Sequence, residues 1–264
     1  MSLELVTLLY LVASICFIQA LKGLSHPTTS IRGNFFGMLG MAIAVVTTAL
    51  LIVKLAGQMG QSPATGLSWV LGGLVAGGAL GTLMAQRVEM TKMPELVAFM
   101  HSMIGLGAVF IAVAVVAEPW AFGITTRGTP IPFGNKFELF LGGAIGAITF
   151  SGSVIAFGKL SGKYKFRLFQ GAPVTFGGQH LINLVLGLAM LGLGIGFSIT
   201  ESWPMFFAML AVAFVLGVLI IIPIGGADMP VVVSMLNSYS GWAAAGIGFS
   251  LNNSMLIIAG SLVG

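Results

Sequence analysis

Eight predominantly apolar runs, each close to the length of a membrane crossing, follow one another along this 264-residue chain and constrain what it can fold into. A helix rises about 1.5 Å per residue, so about 20 apolar residues cross a hydrocarbon core about 30 Å thick. On that measure the spans are Leu3–Ala20, Asn34–Leu55, Leu67–Ala85, Pro94–Ala117, Phe137–Gly158, His180–Thr200, Trp203–Ile222 and Met229–Gly248. A ninth run opens at Ser254 and has 11 residues up to Gly264, about half a crossing at helical rise. The expectation is that the chain stops inside its last helix and that more protein follows. The expected fold class is therefore all-α, a polytopic membrane helix bundle of about nine transmembrane helices.

Charge supports this reading. Only 7% of the residues are charged, against about 25% in an average soluble domain, too few to cover a water-exposed surface. The net charge of +4 comes from 11 Lys and Arg spread thinly between apolar runs, which argues against a nucleic-acid-binding surface. These cations speak instead about orientation, because Lys and Arg accumulate in cytoplasmic loops. The first, third and fifth loops hold eight (Lys22, Arg32, Arg87, Lys92, Lys159, Lys163, Lys165 and Arg167), and the other side holds three (Lys54, Arg127 and Lys136). The asymmetry puts the N-terminus outside and the C-terminus in the cytoplasm. Glu4 ahead of the first run, with no Lys or Arg there, is unlike a signal peptide and reads as a retained helix. The lone Cys16 excludes a disulfide within the chain and a Cys metal cluster. The 38 glycines suit close helix contact, as at Gly73, Gly77 and Gly81, at Gly142 and Gly146, and at Gly192 and Gly196.

No nucleotide-binding glycine motif is present; the run Gly192, Gly194, Gly196 lacks the final glycine and lies within a span. Chemistry has to come from polar groups at depth, where an ionisable side chain is costly and functional by default. Most acids fall in loops or first turns, and His26 and His180 lie at boundaries. His101 lies seven residues past Pro94, about 10 Å into its span, and a free imidazole titrates near pH 6.5. It is either a proton-carrying group or a neutral histidine bonded to a neighbouring helix. Asn237, nine residues past Asp228, and Ser153, five before Gly158, reach a similar depth. Together they form either a hydrogen-bonded layer with His101 or ordinary polar glue between helices. Ser234, Asn237 and Gly241 share a helix face by spacing, and Asn183 lies one turn inside its own span. Asp228, in Gly225-Gly226-Ala227-Asp228-Met229-Pro230, is explained adequately as a helix cap.

Three stretches resemble the membrane domain of the beta subunit of proton-translocating NAD(P) transhydrogenase. They are Val88-Glu89-Met90-Thr91-Lys92-Met93-Pro94-Glu95-Leu96-Val97 running on to His101-Ser102, then Thr149–Leu160, and the long run Ile224–Trp242. The resemblance implies that the chain is the proton-translocation domain throughout residues 1–264, with an NADP(H)-binding domain expected after it. It also implies His101 as the protonatable group, Asn237 and Ser153 as its polar neighbours, and Asp228 and Glu89 as the coupling to that domain. No cofactor is expected within the chain; NAD(H) and NADP(H) belong to associated soluble domains. The expected partners are alpha subunits, the NADP-binding domain, the lipid bilayer and a second copy in a homodimer, in a bacterial cytoplasmic (inner) membrane. The 161–179 loop matches less clearly, leaving Lys163, Lys165 and Arg167 to orientation. The competing readings are a secondary transporter or channel, which has no interrupted helix pair to support it here, and a passive anchor, which leaves His101 unexplained.

Overall fold

The computed structural model describes residues 3–58, 62–163 and 165–264 and forms two compact units, residues 1–88 and 89–264. The regular structure of the described residues is entirely helical, without strands. Among the described residues, seven helices are long and apolar enough to cross a membrane.

The first unit holds α1 (Leu3–Leu24), α2 (Ser30–Gln58) and α3 (Pro63–Arg87). α1 and α2 pair closely because Gly23 and Gly33 bring their backbones into contact and Gly40 rests on Ala13 and Cys16. Tyr10 and Thr48 add a hydroxyl bond of 2.9 Å across the pair. Ser62 caps α3 and Pro63 opens it, yet α3 buries no residue. The expected seam at Gly73, Gly77 and Gly81 is not formed within the chain: among the described residues nothing lies within 4 Å of where their side chains would start.

The second unit holds α4 (Met93–Ala117), α5 (Phe133–Ser161), α6 (Gln179–Thr200), α7 (Trp203–Ile221), α8 (Met229–Ser250) and α9 (Ser254–Val263). α5 stands at the centre and touches α4, α6, α7 and α8. Its composition explains this position, since Gly142, Gly143, Gly146, Gly152 and Gly158 are interleaved with Ala144, Ala147 and Ala156, and all are buried. Without bulky side chains, neighbouring backbones approach on every face. α8 has the length of a span, but with the polar run Asn237-Ser238-Tyr239-Ser240 at its middle it is not among the seven. α9 has ten residues and is capped by Asn253, whose Oδ1 accepts from the amides of Met255 and Leu256 at 3.1 and 3.2 Å.

The sequence boundaries agree with these helices to within a few residues, with one consequential difference. Lys159, assigned above to a loop, lies in the last turn of α5 and is buried. On the side of the bundle where α5 begins, Glu201 occupies the left-handed conformation that ends α6. Its carboxylate accepts from the Ile131 amide at 3.1 Å and pairs with the buried Lys136 at 3.5 Å. This fixes the α4–α5 connection to the end of α6.

A buried histidine layer as the candidate functional site

α4 begins with Pro94 in its first turn and Glu95 beside it, a proline with no amide to lose and an acid favoured by the positive end of the helix. From there Ala98, His101, Ser102, Gly105, Ala108 and Ala112 recur at helical spacing and form the buried face. Gly105 lies over Gly146, Thr149 and Phe150 of α5, while Ala108 meets Gly146 and Ala112 meets Gly143. The two helices run antiparallel through this crossing. One turn before Gly105 comes His101, and one turn after Thr149 comes Ser153, so the register sets them at one level. α8 has a matching register on α5, with Ile247 against Gly142 and Leu236 against Gly152, and this brings Asn237 to the same height.

His101 and Asn237 meet across this crossing, with Ser153 level with them by register. The His101 Nε2 atom lies 2.8 Å from Asn237 Oδ1, across 136 residues of sequence. A carboxamide oxygen only accepts, so in this arrangement Nε2–H donates, and neutral His101 keeps a lone pair on Nδ1. His101 is 7% exposed and Ser153 is fully buried. Both His101 Nδ1 and Ser153 Oγ are buried without a hydrogen-bond partner among the described residues. Two orphaned polar atoms at one level, each able to donate and accept in some protonation state, are the chemistry of a site that takes in water or passes a proton. Ser234 does not join them: it is exposed, and Gly241 instead gives close passage to Gly260 and Gly264. Asn183 is more buried than its position suggests, with Oδ1 unpartnered one turn inside α6.

The coupling candidates lie apart from this layer, near the helix ends. Glu89 is exposed and pairs with Lys92 at 3.1 Å, one turn before α4. Asp228 sits at the entry of α8 after a 3-10 turn, but its carboxylate makes no capping hydrogen bond and it is exposed. The capping explanation of Asp228 is thus corrected. Lys163, left to orientation above, reaches Glu95 at 4.0 Å. The residue that sequence reasoning missed is Lys159, whose ammonium donates to the carbonyls of Ile222 and Ile224 at 2.7 and 2.6 Å. Its one visible signal was a cation within helical reach of the apolar run ending at Gly158. Among the described residues, no three His, Cys, Asp or Glu side chains gather as metal ligands.

The fold and the site define a polytopic helical membrane protein with one titratable side chain, His101, bonded to Asn237 and buried between helices of one bundle. The model of the NAD(P) transhydrogenase beta subunit family matches residues 6–264, and the chain belongs to that family. Two curated relatives, each a NAD(P) transhydrogenase subunit beta, come from Rhodospirillum rubrum and from its strain ATCC 11170. Each is 51% identical over 256 residues, covering 97% of this chain and 52% of the relative. The chain thus spans about half the length of the curated relatives it matches.

Proposed function

We propose that this chain is the proton-conducting membrane domain of a transhydrogenase, moving protons inward as hydride passes from NADH to NADP⁺ in soluble domains outside the membrane. The observation that carries this reading is the His101 layer, a titratable ring bonded to Asn237 on one nitrogen and open on the other, beside the orphaned Ser153 hydroxyl. Protonation of Nδ1 turns an acceptor into a donor, so each protonation state favours a different set of neighbours. A cycle needs two conformations that admit water to His101 from opposite sides.

In this reading the basic residues orient the N-terminus outside and the C-terminus in the cytoplasm of a bacterial inner membrane. α8 and α9 complete about nine crossings. Asp228 and Glu89 face an NADP(H)-binding domain that follows residue 264. Alpha subunits carry NAD(H), and the complex pairs as a homodimer. The test is His101→Gln in the full complex reconstituted in vesicles. Glutamine keeps hydrogen bonding but takes up no proton near neutrality. Assembly should persist while proton pumping and the coupled reverse reaction collapse together; wild-type pumping by His101→Gln would return His101 to a structural role.

A further inference from the structure

Lys159 is 3% exposed and pairs with no carboxylate among the described residues. Its three ammonium protons face three main-chain oxygens instead: Ile222 at 2.7 Å, Ile224 at 2.6 Å and Ala172 at 3.4 Å. The first two follow the end of α7 at Ile221, where the negative end of the helix dipole favours a cation. The third belongs to the loop between α5 and α6.

The same two segments are also bonded to each other. The Val174 amide donates to the Ile222 carbonyl at 2.9 Å, and the Gly226 amide donates to the Gly171 carbonyl at 2.8 Å. Phe169 of the loop packs on Gly158, leaving no room for a side chain there. The end of α5, the 165–179 loop and the linker from α7 to α8 form one knot with the ammonium inside it. Two chains of consequence leave this knot. Six residues back along α5 is Ser153. Four residues on from Ile224 is Asp228, and α8 then carries Asn237 about two and a half turns further.

We infer that Lys159 is a positioning residue that clamps the α7–α8 linker to α5, so that a displacement at Asp228 moves α8 as a body and reaches the Asn237–His101 bond. The inference rests on the proposed proton pathway for its functional half and on geometry alone for its structural half. A linker held only by its amides would absorb the displacement locally. Apolar replacement of Lys159 removes all three charged hydrogen bonds while keeping the volume of the stem.

The test compares Lys159→Met with wild type in the full-length protein, in vesicles with its partner subunits. Spin labels at Ala172 and Ala227, both exposed, in a Cys16→Ala background report the loop-to-linker distance. Wild type should give one narrow distance. Lys159→Met should populate a second, longer one, with the closed-to-open ratio falling roughly tenfold or more, the effect of losing a charged hydrogen bond. Protons pumped per hydride should fall with it while hydride transfer continues, a split that a merely structural loss would not produce. An unchanged narrow distance overturns the clamp, and a broadened distance with normal pumping per hydride overturns its role in coupling. If Lys159→Met fails to assemble, Lys159→Gln, which keeps two donors, should show the same two effects in weaker form, and their absence has the same meaning. A wild-type complex that does not pump would remove the proton pathway itself, and the distance measurement would then decide the clamp alone.

Discussion

Gly105 and Gly146 face each other with no side chain between them. A methyl group on Gly105 would lie 2.6 Å from the Gly146 carbonyl oxygen, and one on Gly146 would lie 2.9 Å from the Gly105 carbonyl oxygen. Because both obstacles are backbone, neither can rotate away, and the α4–α5 crossing that levels His101 with Ser153 depends on both glycines.

Gly105→Ala should therefore force the helices apart and cost about 1–3 kcal/mol, the usual range for overpacking. Thermal unfolding in detergent checks this. Gly107→Ala, where no described atom lies within 4 Å, should unfold no earlier than wild type, because alanine is favoured over glycine inside a helix. Equal losses for the two would mean that the crossing is not the cause.

Ser153→Ala should separate function from stability. The hydroxyl is buried and makes no protein hydrogen bond among the described residues, so its removal breaks no bond within the fold and the variant should unfold close to wild type. Proton pumping in vesicles should nonetheless fall, since the water or proton beside His101 loses a partner. A variant that is destabilised but pumps normally would make Ser153 a packing residue.

Asp228→Asn and Asp228→Ala should both leave the unfolding transition within about 0.5 kcal/mol of wild type, as for a surface substitution that removes no cap or contact. The carboxylate caps nothing and is exposed. Coupled turnover of the full complex should drop in both. Stability that falls in the alanine variant and is kept in the asparagine one would restore the capping role.

Orientation is checked by labelling. Pro130→Cys and Gln170→Cys are both exposed positions, and the only native cysteine is buried Cys16. An impermeant thiol reagent should reach Pro130→Cys from outside intact cells and Gln170→Cys only after access to the cytoplasmic face. The opposite pattern would invert the placement of Asp228.

The helices and the histidine were legible because both are local signals. Span length follows from apolar run length, and His101 stood out as the one titratable group deep in a run. Its partner was legible only as a depth match, since contact between residues 136 positions apart is set by the glycine crossings on α5. Three features were misread for identifiable reasons. The burial of Lys159 depends on a loop folding back over a helix end, which no run length encodes. Asp228 has the sequence of a cap, but capping needs a side-chain rotamer aimed at free amides, and the carboxylate is not so aimed. Glycines spaced four apart announce a smooth helix face without naming an occupant, so the faces of Gly142 and Gly73 look alike although one is filled and the other open.

The central place of α5 also has a consequence for how the second unit is put together during synthesis. Chains enter the membrane from the N-terminus, so α4 waits with its Gly105 groove empty until α5 arrives to fill it. α6 and α7 follow, closing two more faces of the same helix. The face that receives α8 is filled near the end, and the His101–Asn237 bond joins the first and fifth helices of the unit. The proposed proton site is therefore completed late, after most of the bundle that excludes lipid from it is already in place.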